Sequence, residues 1–203
     1  MKKRWFLFPA LIAALALPSD AAIGVKAGLN YSNVTGASSI NPSSRSGYMV
    51  GVFFGPPPMG LMSFRTEFVL SRQGYDFNAG AETGSVSLDY LLMPALMGIN
   101  LGKIAQIQLG GQVAYLLNAK VNGAGTGDPA MDKIMDFYNR FDYGLAGGVE
   151  FTPVKALLVG VRINISLAKL YKDPASLSGG TPSFFPSIDA KNNVVQLYAG
   201  FQF

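Results

Sequence analysis

Six ionisable side chains, which lie at alternate positions of apolar segments, are the residues of this sequence best suited to chemistry. A carboxylate pair formed by Glu67 with Glu150 or Asp89 would suit general acid–base catalysis. The set holds as many bases as acids, and two of its bases are arginines, so structural ion pairing is favoured over catalysis. We therefore predict that the protein is not an enzyme and has no catalytic residue. The six residues are Lys26, Arg65, Glu67, Asp89, Glu150 and Arg162.

Histidine and cysteine are both absent from the sequence. Their absence excludes histidine-based triads, histidine proton shuttles, disulfides, and metal sites built on imidazole or thiolate ligands. We therefore predict neither a metal site nor a cofactor.

The first 21 residues predict a secretory signal peptide, followed by a single domain over residues 22–203. Three basic residues precede a short apolar run, and the small residues Ser19 and Ala21 predict cleavage before Ala22. The alternative is a retained membrane anchor, which the short apolar run disfavours. Removal of Lys2, Lys3, Arg4 and Asp20 lowers the formal net charge from +4 to +2, so we predict no nucleic-acid partner.

The domain itself alternates between apolar and small or polar residues, which is the period of β-strands. The sequence is 49% hydrophobic and only 14% charged, yet no later apolar run approaches the roughly 18 residues of a transmembrane helix. Eight alternating segments predict an all-β fold, an eight-stranded antiparallel up-and-down transmembrane barrel. The segments are residues 23–32, 47–55, 62–71, 88–97, 107–115, 142–151, 157–166 and 195–203.

The connections between these segments alternate between long and short. Short turns are predicted at residues 56–60, 102–104 and 152–154, and long polar loops at residues 35–46, 74–84, 120–139 and 168–192. This layout is typical of outer-membrane barrels, which have short periplasmic turns and long external loops. It predicts a protein of a Gram-negative outer membrane with both termini in the periplasm.

The six ionisable residues decide which face of the barrel meets lipid. A soluble, lipocalin-like barrel would place the apolar face inside. A basic residue facing lipid at the midplane costs about 2–4 kcal/mol, so all six are predicted to point inward as a lumen ion-pair network. The apolar face then carries aromatic girdles. These comprise Tyr31, Tyr48, Tyr115 and Tyr143 on the long-loop side, and Phe54, Phe64, Phe151, Phe201 and Phe203 on the short-turn side.

The lumen of an eight-stranded barrel is just wide enough for side chains to fill. We expect the ion pairs, together with Gln108, Gln112, Asn164 and Gln196, to form a plug, although several inward glycines leave room for a small pore. Pro94 predicts a bulge or a local break in the fourth strand, or else the end of that strand.

Two features of the long loops suggest contacts. Asp128, Asp132 and Asp136 predict a short amphipathic helix, whose apolar side would cap the barrel mouth or rest in the lipid interface. A calcium site there would need denser oxygen ligands. Phe184 and Phe185 are expected to contact a partner or the membrane surface.

The order of several short motifs resembles the PorT-like outer-membrane β-barrel family of Bacteroidota. The resemblance implies an eight-stranded outer-membrane barrel, a terminal aromatic residue, Phe203, that the barrel-assembly machinery recognises, and in some members a link to protein secretion. It implies no catalytic residues. The motifs are GVKAGLNYS at residues 24–32, Glu67 with SRQG at 71–74, YLLMP at 90–94, FDYG at 141–144, and the strand ending at Phe203.

We therefore expect a non-enzymatic scaffold whose external loops interact with another molecule. The alternatives are a small, porin-like diffusion channel and an accessory component of protein secretion. The expected partners are outer-membrane lipid, the barrel-assembly machinery, and an extracellular or secretion-system protein.

Overall fold

The computed structural model describes residues 22–35, 43–79, 82–123, 135, 137–154, 156–172 and 190–203. The predicted signal peptide, the acids Asp128, Asp132 and Asp136, and the pair Phe184 and Phe185 lie outside the described residues.

Eight antiparallel strands form a closed barrel in which each strand pairs with its neighbours in sequence and β8 pairs with β1. This confirms the predicted all-β, eight-stranded, up-and-down barrel. Among the described residues, no helix is long and apolar enough to cross a membrane. The strands are β1 (Ala22–Thr35), β2 (Ser43–Gly55), β3 (Met62–Ala79), β4 (Glu82–Leu101), β5 (Ala105–Gly123), β6 (Phe141–Val154), β7 (Leu157–Ser166) and β8 (Lys191–Gln202).

The two ends of the barrel differ. The turn end carries the connections β2–β3, β4–β5 and β6–β7 together with the first residue of β1 and the last of β8. Gly102 in the β4–β5 turn has a φ of 70°, which glycine adopts without strain. Ala156 in the β6–β7 turn has a φ of 78°, a conformation that its Cβ disfavours. The opposite end, the loop end, carries the remaining connections.

The outer surface is an apolar belt made of every second residue of each strand. Leu29, Leu109 and Ile163 are about half exposed there, while Asn30, Gln108 and Arg162, which follow or precede them in the same strands, point inward and are buried. The belt ends at the loop side where the outward residues become polar, at Arg72 in β3, Asp89 in β4 and Asn118 in β5.

The side chains of β4 point in the opposite directions to those predicted. Leu88, Tyr90 and Leu92 are buried inside the barrel, and Asp89 lies outward, so the inward placement of Asp89 was wrong. The reason is that both faces of residues 90–97 are apolar, so the alternation there has no polar side. The charge of Asp89 did not indicate the orientation of β4, because Asp89 lies beyond the belt, where an outward charge is not exposed to lipid hydrocarbon.

The predicted long loop at residues 74–84 is also wrong. Strands β3 and β4 stay paired as far as Ala79 and Glu82. Residues 72–79, 82–89 and 118–123 form an extension that continues the barrel wall about 25 Å along the strands beyond the belt. Ser43 and Ser44 of β2 pair with its first part, at Asp76 and Tyr75. Its inward side is apolar, whereas its outward side carries Ser, Thr and Asn, which made the segment resemble a loop.

Pro94 lies within β4, which continues to Leu101, so the alternative that the strand ends there was wrong. The pairing with β3 is interrupted opposite Pro94 and resumes in the same register at Val69 and Leu92. The register shift of β4 lies elsewhere, between Asp89 and Tyr90 on the side of β5. The proline is therefore accommodated by a local break in one ladder, without a bulge in that ladder.

Candidate functional site

The lumen contains a layer of buried charges centred on Glu67 of β3. Arg162 of β7 donates two hydrogen bonds to the Glu67 carboxylate at 2.6 and 2.9 Å, and Lys26 of β1 donates a third. The side chains of all three residues are at most 1% exposed. Arg162 also donates to the Gln108 side-chain carbonyl at 2.8 Å. Glu67 thus neutralises two cations, one from β1 and one from β7, the strand opposite β3 in the closed barrel.

A second carboxylate, Glu150 of β6, completes this ion-pair layer. Arg65 of β3 donates to both of its oxygens at 2.8 and 3.0 Å, and the Tyr198 hydroxyl donates at 3.1 Å. Arg65 is slightly more exposed than the other members because it faces the turn end. Both carboxylates are therefore occupied by bidentate arginines, an arrangement that favours ion pairing over general acid–base chemistry.

Aromatic rings fill the space beside two inward glycines. A Cβ on Gly160 would lie 2.5 Å from the Tyr198 ring, and one on Gly24 would lie 2.1 Å from the Phe53 ring. Tyr198 also lies under the Lys26 ammonium at 4.5 Å, and Phe53 lies under the Arg65 guanidinium at 4.3 Å. At these two positions, glycine makes room for a ring rather than for an open passage.

The charge balance of the lumen differs from the predicted three against three. Five of the six predicted residues lie in the ion-pair layer, namely Lys26, Arg65, Glu67, Glu150 and Arg162. Asp89 does not, because it accepts two hydrogen bonds from Arg72 and one from Asn118 on the outer surface. The layer therefore carries one more cation than anions.

One further acid, Asp142 of β6, points inward and was not among the predicted lumen residues. It accepts a hydrogen bond from the Ser166 hydroxyl at 2.7 Å. Asp142 is adjacent to the outward residue Tyr143 in β6, so the alternation of the strand indicates that Asp142 faces the lumen. Asp142 lies near the start of β6, at the loop end, whereas Glu150 lies toward the turn end of the same strand. Asp142 is therefore not part of the ion-pair layer.

A layer of amides lies next to the ion pairs on the side of the loop end. Asn30 donates to the Ser71 hydroxyl at 2.9 Å and accepts from Gln196 at 3.1 Å. Gln73 donates to the same hydroxyl and accepts from Asn192 at 2.5 Å. Buried polar groups are stabilised when they are paired in this way.

An aromatic cap closes the lumen near the loop end. The Tyr75 hydroxyl of β3 is hydrogen-bonded to the hydroxyls of Tyr138 and Tyr171, and all three rings are buried. Tyr138 and Tyr171 belong to two segments that pair across the mouth, where Asn139 and Lys172 donate backbone hydrogen bonds to Leu170 and Phe137. Burial raises the pKa of Tyr138 and Tyr171 well above that of an ordinary phenol, so both hydroxyls stay protonated.

The turn end, in contrast, opens into a vestibule of about 730 Å³. Arg65 and Glu150 line it, with Gln106, Asn100 and the exposed Lys103 nearer its rim. Gln106 donates to Ser63 at 2.8 Å and to the Asn100 side chain at 2.7 Å. The vestibule thus reaches the ion-pair layer from one side only.

The predicted girdle residues lie on the outer surface. Tyr31, Tyr48 and Tyr143 are about half exposed near the loop-side edge of the belt, and Phe151 and Phe203 are exposed near the turn end. The remaining members occupy the same two zones and are Tyr115, Phe54, Phe64 and Phe201. Within the described part of the chain, no group of three or more acidic side chains is arranged to hold a metal ion.

Comparison with known proteins agrees with this architecture. The profile of the family described as "Outer membrane protein beta-barrel domain" matches residues 13–172. The fold is similar to that of Ail, the attachment invasion locus protein of Yersinia pestis, with a TM-score of 0.52, 16% identity, and coverage of 91% of this chain and 99% of Ail. It is also similar to Neisserial surface protein A, with a TM-score of 0.53, 13% identity, and coverage of 90% and 99%. No curated protein sequence matches the chain.

Proposed function

Because the chain belongs to the outer membrane protein beta-barrel domain family, we propose that it is a closed, non-enzymatic scaffold that presents its loop end outside a Gram-negative cell. The observation that carries this proposal is the filled lumen. Buried ion pairs, amides and the aromatic cap follow one another along the barrel axis. Because the start of β1 and the end of β8 lie at the turn end, this orientation places them and the vestibule in the periplasm.

The extension is the surface that such a scaffold offers to another molecule. Its outward residues include Asn78, Thr83, Ser85 and Asn122, which are small or polar and suited to contact with water or a partner. Its inward side packs against the aromatic cap through Tyr75, so the extension is held in place by the same residues that close the lumen.

Planar-bilayer recording of the purified protein tests the closed scaffold. We expect no steady conductance above that of the lipid alone, because each lumen layer fills the cross-section. Reproducible, ohmic steps would contradict the proposal. The variant Arg65→Ala should lower unfolding stability without creating conductance, and Lys103→Ala, at the exposed turn end, is the matched control that should change neither.

A small diffusion channel is the second candidate, and two observations favour it. The vestibule already occupies the turn end of the lumen. In addition, the buried Arg162 Nε, the Asn164 amide and the Gln112 Oε1 have no hydrogen-bond partner among the described residues, so this part of the lumen is suited to hydration. Under this candidate, Arg65→Ala would change ion selectivity rather than stability.

The narrower PorT-like assignment, and with it an accessory role in secretion, rests on the motifs quoted above. Extraction in mild detergent followed by size-exclusion chromatography tests it. Co-elution with a secretion component is expected under that role, whereas a lone monomer would count against it.

A further inference from the structure

Exposed cations are distributed unequally between the two ends of the apolar belt. Beyond the loop-side edge, the described cations include Arg72 on β3, Lys120 on β5, Arg140 before β6 and Lys191 on β8, which we call the basic rim. Arg45, Lys169 and Lys172 are further cations at the loop end. Beyond the turn-side edge, the described exposed cation is Lys103. The rim surrounds the barrel at the height where the outward residues change from apolar to polar.

The outward acids among the described side chains neutralise Arg72 but leave the other three rim residues without an ion-pair partner. These acids are Asp76 and Asp89, and each already forms an ion pair with an arginine, at 2.6 Å with Arg45 and at 2.7 Å with Arg72. The described acidic side chains form no ion pair with Lys120, Arg140 or Lys191. The rim therefore has a surplus of positive charge directly beside the belt.

Uncharged hydrogen-bonding groups accompany this charge. The row Arg72, Asp89 and Asn118 runs across three neighbouring strands, and the Tyr48 ring lies 5.2 Å from the Arg72 guanidinium. Near Lys191, Asn193 donates to the Thr35 hydroxyl at 3.3 Å on the exposed surface. Cations, amides and aromatic rings at one height are the groups that bind a phosphorylated headgroup while its acyl chains lie against the belt.

We propose that the basic rim binds the phosphate groups of anionic lipids in the leaflet on the loop side. The inference rests on the proposed orientation, in which that leaflet is the outer one and its lipid is a phosphorylated glycolipid. The ligand is the membrane lipid itself and not free phosphate, because the cations border the belt instead of converging on a single cavity.

Titration of the detergent-solubilised protein with diphosphoryl lipid A, followed by native mass spectrometry, tests this site. Each cation near an anionic surface changes the affinity by about fivefold. The triple variant Lys120→Gln, Arg140→Gln, Lys191→Gln should therefore bind lipid A about 100-fold more weakly than the unaltered protein. Lys103→Gln is the matched control and should bind as the unaltered protein does. Circular dichroism verifies that both variants keep their strand content.

Several results would overturn the inference. They are equal binding of lipid A by the triple variant and the unaltered protein, binding of phosphatidylcholine as tight as that of lipid A, and full competition by millimolar inorganic phosphate. A loss confined to Lys103→Gln would place the phosphorylated leaflet at the turn end and overturn the orientation with it. None of these outcomes bears on whether the lumen conducts, so the closed scaffold is judged separately by bilayer recording.

Discussion

Replacing the central carboxylate of the ion-pair layer, by Glu67→Gln, is expected to destabilise the barrel strongly. Glu67 is completely buried and is hydrogen-bonded by Lys26 and by both terminal nitrogens of Arg162. The amide would leave these two buried cations without an anion between them. Removing one partner of a buried ion pair typically costs about 3–5 kcal/mol, and we expect a loss of free energy of unfolding in this range.

A second substitution in the same triad should behave differently. Lys26→Met removes a cation from a layer that has one in surplus, and it leaves Arg162 bonded to both oxygens of Glu67. The methionine also retains most of the volume that the lysine stem occupies. We therefore expect a change of less than about 1 kcal/mol in the free energy of unfolding.

Urea unfolding in phospholipid vesicles, followed by far-ultraviolet circular dichroism, gives both free energies by linear extrapolation. The expected order is a large loss for Glu67→Gln and a small change for Lys26→Met. Similar losses for the two variants, or a loss below about 1 kcal/mol for Glu67→Gln, would refute the argument from buried charge.

Three further predictions concern other parts of the barrel. Tyr75→Phe removes the hydroxyl shared by the aromatic cap and should cost about 1–2 kcal/mol of unfolding free energy, with faster proteolysis at the loop end; unchanged proteolysis would contradict this. Ala156→Gly relieves the positive φ of the β6–β7 turn and should raise the free energy of unfolding by about 0.5–1 kcal/mol, whereas a decrease would show that the turn is unstrained. Because the chain lacks cysteine, single replacements report orientation: Asp89→Cys should react with a membrane-impermeant maleimide and Leu88→Cys should not, and the reverse would restore the predicted orientation of β4.

The closed barrel was predictable because one strand period runs through most of the chain. In most of β1 and β7, for example, the outward residues are apolar and the inward ones are small or polar, with Val34 and Leu158 as inward exceptions. A single charge such as Lys26 or Arg162 therefore indicates the direction of the whole face. A one-residue shift would turn every side chain to the other face, which makes this pattern a strong constraint.

The same pattern failed where the surroundings of the barrel change. Beyond the belt the outward face meets water and the inward face meets the aromatic cap. Asp89 therefore points outward and Leu88 inward, the reverse of the arrangement expected for a strand in lipid. The cap itself was not predictable, because Tyr138 and Tyr171 lie outside regular strands and meet Tyr75 only through the closed fold. Strand period carries no information about contacts of that kind.

The ion-pair layer also affects how the barrel can assemble. Glu67 and Arg65 lie on β3, but their bidentate partners are 95 and 85 residues further along the chain, on β7 and β6. An assembly intermediate that contains only β1 to β5 therefore lacks the bidentate partner of both residues. Glu67 keeps Lys26 of β1 in such an intermediate, but Arg65 has no Glu150 to pair with. Closing it would bury an unpaired guanidinium, so early closure into a smaller barrel is disfavoured until the last three strands are present. The ion pairs thus favour closure of the eight-stranded barrel over closure of a smaller one.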